Sequence, residues 1–171
     1  MPTGFCVMAP AMLPYLAGQT LATVLEQREW NEASRIRAIE MSVIALAGFH
    51  RLGFTHGDAM AENVLVDDRA AHWFDFETLH ETRRPLVWRQ ADDVRALLTT
   101  CLVGTAPEKV AGTLACILDA YANDDVTRVL ASSVTPVWRR ALTYHLAQAP
   151  LTYERFREAG RLLNDRINTA N

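Results

Sequence analysis

Asp58, Asn63 and Asp75 carry side-chain oxygens at spacings that one loop and one hairpin can gather. The stretch around them reads Phe-Thr-His-Gly-Asp-Ala-Met-Ala-Glu-Asn-Val-Leu-Val-Asp-Asp-Arg-Ala-Ala-His-Trp-Phe-Asp-Phe-Glu, from Phe54 to Glu77. His56-Gly57-Asp58 opens a loop that Asn63 closes. Val64 to Val66 is an apolar β run, Asp67-Asp68-Arg69 is turn-like, and Ala71 to Phe74 returns as a second strand that delivers Asp75. Carboxylates take up protons, and gathered side-chain oxygens are the groups that acid–base chemistry uses. Taken singly, an Asp after a Gly is usually a turn residue and an Asn before a strand is usually a cap. The conjunction at this spacing is what points to chemistry.

His-x-Asp, four residues, Asn, and then a strand pair ending in Asp-Phe resembles the protein-kinase-like fold. The resemblance implies that Asp58 accepts the proton of an acceptor hydroxyl, while Asn63 and Asp75 hold Mg²⁺ and ATP donates the phosphoryl group. Such transfer asks the protein chiefly to position groups and neutralise charge. Two departures narrow the resemblance. Gly57 stands where protein kinases carry an Arg that grips an activation-loop phosphate, and Glu77 stands where Asp-Phe-Gly would have Gly. His-Gly-Asp with Asp-Phe-Glu is similar to the small-molecule branch, the aminoglycoside phosphotransferases and bacterial lipopolysaccharide core kinases. Glu77 is then a further carboxylate near the metal or, on the plainer reading, a solvated strand end. In that branch His56 packs beneath the loop and is structural.

The bounds agree with a single globular unit. The chain has 171 residues, half of them apolar, and a net charge of −3, which gives no reason to expect nucleic-acid binding. Cys6, Cys101 and Cys116 are widely spaced and form no Cys-x-x-Cys, so free thiols in a reducing cytoplasm are expected. Residues 1 to 20 carry no positive n-region and are interrupted by Pro10 and Pro14, so neither a signal peptide nor a membrane span is expected.

The elements that would position the three oxygens are mostly helical. Ala33 to Leu52 carries an apolar stripe through Ile36, Ile39, Val43, Leu46 and His50, ended by Gly53, and feeds into the loop. His50 on that stripe reads as a core histidine. Asp92 and Asp93 stand before Val94, Leu97, Leu98, Cys101 and Leu102, where an Asp is a natural N-cap. The resemblance implies instead that Asp93 hydrogen-bonds the loop's backbone as structural support. Thr20 suits the cap of a helix to about Trp30, and Thr105-Ala106-Pro107-Glu108 is a capping-box pattern. Thr135-Pro136 starts a further helix to about Ala147, and Glu158, Arg161 and Asp165 place opposite charges at helical spacing on a last one. About fifteen residues, including Arg83-Arg84-Pro85 and Trp88, separate Glu77 from the next helix, which favours a small acceptor over a protein.

The expected fold is mainly α with a small β component. Residues 1–19 form a residual strand and hinge-like segment, and 20–171 a kinase-like C-terminal lobe. By resemblance Tyr15 and Leu16 in the hinge-like segment, with Leu65 from the hairpin, meet the nucleotide. The chain has no Gly-rich phosphate loop, and its sole lysine, Lys109, lies downstream of every catalytic motif. The N-terminal lobe is therefore expected to be absent or vestigial, and a homodimer or a partner chain is expected to cover the face left open. Three readings follow: an ATP-dependent phosphotransferase acting on a hydroxyl of a small molecule, carbohydrate or lipid-linked sugar; a catalytically inactive kinase remnant serving as a binding or regulatory module; and a helical interaction domain without nucleotide chemistry.

Overall fold

A computed structural model describes residues 18–27, 29–103, 105–133 and 153–169. The fold is mainly helical around a small antiparallel sheet. Strand β1 (Gln19–Thr20) leads into helix α1 (Leu21–Glu26), and α2 (Glu32–Arg51) follows. A 3₁₀ turn at Ala61–Asn63 enters the hairpin of β2 (Val64–Val66) and β3 (Ala71–Trp73). Helices α3 (Leu86–Val103), α4 (Val110–Tyr121), α5 (Asp124–Ser133) and α6 (Tyr153–Thr169) complete the described chain. Tyr15, Leu16, most of the hinge-like segment and the helix expected after Thr135 lie outside the described residues, as does Cys6.

Helix α2 forms where its apolar stripe predicts. Asn31 caps its start by accepting the Ser34 amide, and Gly53 just beyond its end sits at φ 85°. Ile39, Val43 and Leu46 point into a core shared with Leu97, Leu98 and Leu102 of α3 and Leu114 and Ile117 of α4. Each fully buried leucine or isoleucine stabilises the fold by roughly 1.5–3 kcal/mol relative to exposure. The hairpin turn is closed by Asp67, whose Oδ1 accepts the amides of Arg69 and Ala70 at 2.7 and 2.8 Å. Trp73 then ties β3 to α2 by donating its indole N–H to the Ser42 carbonyl at 3.1 Å.

Several local expectations change. Thr20 does cap α1, accepting the Thr23 amide, but α1 stops at Glu26 rather than near Trp30. Gln19 and Thr20 also pair with Val66 and Leu65, so the hairpin gains a third strand that no periodicity announces in two residues. Gly18 makes this approach possible, because a Cβ at its φ of 139° would stand 2.7 Å from the Val66 carbonyl oxygen. Helix α3 begins at Leu86, straight after Pro85, so the segment after Glu77 is shorter than expected and Trp88 is helical. Asp92 and Asp93 are therefore inside the helix and not at its cap. The capping box at Thr105 does not form either. The Thr105 hydroxyl donates back to the Cys101 carbonyl at 2.8 Å, and a 3₁₀ turn at Pro107–Lys109 precedes α4. On α6, Arg161 pairs with both Glu158 and Asp165. No helix among the described residues is long and apolar enough to cross a membrane.

Candidate active site

The loop between α2 and β2 is held from below by one face of α3. Asp93 accepts the amide of His56 at Oδ2 (2.7 Å) and that of Gly57 at Oδ1 (2.9 Å). Two turns further on, Thr100 Oγ1 accepts the Ala61 amide at 3.0 Å. Positions seven apart share a helix face, so a single stripe of α3 fixes both ends of the loop. Asp93 is 1 % exposed. Its Oδ2 also accepts from His50 Nε2 at 3.0 Å, and His50 Nδ1 meets the Tyr121 hydroxyl at 2.7 Å. The buried carboxylate is thus surrounded by donors, which is what lets it stay inside.

Gly57 could not be another residue here. Its φ is 89°, and a Cβ would be driven into the Thr78 carbonyl, with which its backbone is already in close contact.

His56 packs under the loop, 1 % exposed, with its ring 4.6 Å from that of Phe76 and 5.1 Å from that of Trp73. Its Nε2–H donates to the Phe74 carbonyl at 2.9 Å, and Nδ1 accepts the Asp58 amide at 3.3 Å. Burial lowers its pKa, against the Phe74 bond and the fields of Asp93, Asp58 and Asp75, so the ring is held in that neutral tautomer.

Asp58 and Asn63 meet directly. The Asn63 amide nitrogen donates to the Asp58 carbonyl at 2.8 Å and to its Oδ2 at 3.2 Å. Asp58 Oδ1 is buried and lacks a hydrogen-bond partner. Asn63 also accepts the Phe74 amide through its carbonyl at 3.1 Å, continuing the ladder in which Val64 faces Trp73. Asp75 follows Phe74 immediately, one residue past the bond that joins Phe74 to Asn63. It is exposed and adopts φ 62°, a left-handed conformation that costs free energy and clusters at functional sites. Glu77 is exposed in the turn beyond. Leu65 lies in β2 opposite His72, half-buried, on the side of the strand opposite the buried Val64 and Val66.

Among the described residues no cluster of three His, Cys, Asp or Glu side chains forms a metal cage. A magnesium site completed by phosphates and water needs only one or two carboxylates, and Asn63 and Asp75 carry oxygens of the kind such a site takes. The orphaned Asp58 Oδ1 adds a polar atom that a ligand can satisfy. A cavity of about 240 Å³ lined by Trp30, Met41, Val66 and Asp67 lies at the hairpin turn and includes none of these residues.

Sequence reasoning gave no functional part to His80, Thr100 or Tyr121. Each acts across at least a dozen residues of chain, and none stands in a motif. No family model, curated protein or solved structure matches the chain.

Proposed function

We propose that this chain is the catalytic lobe of a kinase-like, ATP-dependent phosphotransferase whose acceptor is a hydroxyl on a small molecule, a carbohydrate or a lipid-linked sugar. The observation that carries the reading is the Asp58 carboxylate, oriented by Asn63 through Oδ2 and left with a buried, unpartnered Oδ1. A carboxylate held in one orientation is suited to accept a proton from a hydroxyl placed against it. As the acceptor oxygen bonds to the γ-phosphorus, its proton passes to Asp58, the bond to the bridging β,γ oxygen breaks, and ADP leaves. Asn63 and Asp75 would hold Mg²⁺, which when bound neutralises charge on the phosphates. His56 and Asp93 support the loop and take no part in bond making.

One observation favours the second reading, an inactive kinase remnant used as a binding or regulatory module. Lys109, the sole lysine, pairs with Glu32 at 2.6 Å, at the end of α2 opposite the loop. It is therefore not available to phosphates at Asp58.

Isothermal titration of the chain with ATP and Mg²⁺, repeated with Asp75→Asn, separates the two. Binding that the substitution weakens supports the phosphotransferase, and acceptor screening with sugars and aminoglycosides follows. No binding at millimolar ATP supports the remnant.

A further inference from the structure

We infer that His80 is a positioning residue that clamps the segment following Asp75 to the loop that carries Asp58. Its side chain is 6 % exposed and spans two pieces of the chain. Nδ1 lies 3.1 Å from the Thr55 hydroxyl, just before the loop, and Nε2 lies 3.1 Å from Asp92 Oδ2 on α3. The carboxylate can only accept, so Nε2 carries the hydrogen and Nδ1 accepts from Thr55. Burial lowers the His80 pKa, against the field of Asp93 and with the help of Arg89 and Arg95, and so preserves that neutral tautomer.

Asp92 and Asp93 are neighbours on one turn of α3. Asp93 takes the His56 and Gly57 amides, while Asp92 takes His80 and pairs with Arg95. A single helical turn thereby grips the loop and the post-hairpin segment together. The backbones of the two also touch, at Gly57 and Thr78. Asp58 lies three residues after Thr55, and Asp75 lies five residues before His80. The clamp fixes how these two carboxylates stand relative to each other. Its consequence for nucleotide rests on the phosphotransferase reading, whereas the clamp itself does not.

Amide hydrogen exchange of the whole chain, followed by mass spectrometry, tests it on the wild type, His80→Ala and Thr55→Val. Each variant removes one end of the same bond. Each is expected to raise exchange about tenfold both in 54–63 and in 74–84, with α2 and α4 unchanged. Exchange that rises only in the segment carrying the substitution, or nowhere, overturns the clamp. Thr55→Val keeps the side chain's shape and decides the matter should His80→Ala fail to fold. Mg·ATP titration adds a readout that general destabilisation would not move. An affinity about tenfold weaker in His80→Ala, measured well below its melting temperature, is expected, and unchanged affinity overturns the positioning role. A wild type that binds no nucleotide defeats the phosphotransferase reading instead, and the exchange data still decide the clamp.

Discussion

Asn63 holds Asp58 at two points, the backbone carbonyl and the carboxylate, with one amide nitrogen. The pairing orients the carboxylate and leaves its other oxygen buried without a donor. Asp58→Ala removes one long hydrogen bond and one unsatisfied oxygen, so its effect on stability is expected to stay within about 1 kcal/mol. Turnover is expected to vanish. Unfolding curves beside a phosphotransfer assay check both, and retained turnover would sink the role given to Asp58.

Asp75 is strained where it is proposed to work, at φ 62°. Asp75→Gly is expected to stabilise the chain by up to about 1 kcal/mol, since glycine adopts that conformation without penalty. The same substitution is expected to remove Mg²⁺-dependent nucleotide binding. Denaturation midpoints and titrations on one sample show whether stability rises as binding falls. A Gly variant that binds as tightly as wild type argues against Asp75 as a metal ligand.

Gly57→Ala places a Cβ against the Thr78 carbonyl at a left-handed φ. The clash is with backbone and cannot be relieved by a rotamer change. A loss of roughly 2–4 kcal/mol is expected, read as a fall in urea midpoint. A change under a few tenths of a kcal/mol would contradict the loop path described.

Asp93→Ala strips the acceptor from the His56 and Gly57 amides and from His50 Nε2. Leaving buried donors unpaired is expected to cost about 3–5 kcal/mol. Asp93→Asn, which keeps one oxygen, is expected to cost less. Equal losses for the two would mean that the hydrogen bonds contribute little.

His80 and His56 both have pKa values below the ordinary 6.5, with burial the leading cause in each. The folded chain keeps them neutral while the unfolded chain protonates as pH falls through 6.5. The unfolded state then binds more protons, so stability is lost on acidification below that value. Urea midpoints between pH 5 and 7.5 are expected to rise with pH, and His80→Gln is expected to flatten the slope. An unchanged slope in that variant removes His80 from the titration.

Legibility followed distance along the chain. The hairpin, the long helix α2 and the spacing of Asp58, Asn63 and Asp75 could all be read directly, because alternation, helical stripes and turn residues act within a few positions. Asp93 could be singled out only through a resemblance, since by local rules it is a helix cap, and the earlier start of α3 at Leu86 removes that option. The charge pairs of Arg161 were legible for the same reason that they form, a spacing of one helical turn.

By itself the sequence determined helix α2, the hairpin, their apolar faces and a motif whose side chains carry oxygens. Tertiary structure alone decided that His50 reaches Tyr121 from 71 residues away, that Thr100 holds the Ala61 amide, and that His80 joins Thr55 to Asp92. Those contacts are made by polar groups with few equivalents along the chain, and no periodicity encodes their partners. They exist because packing α2, α3 and α4 around one core buries the groups together, where each must find a hydrogen bond or destabilise the fold.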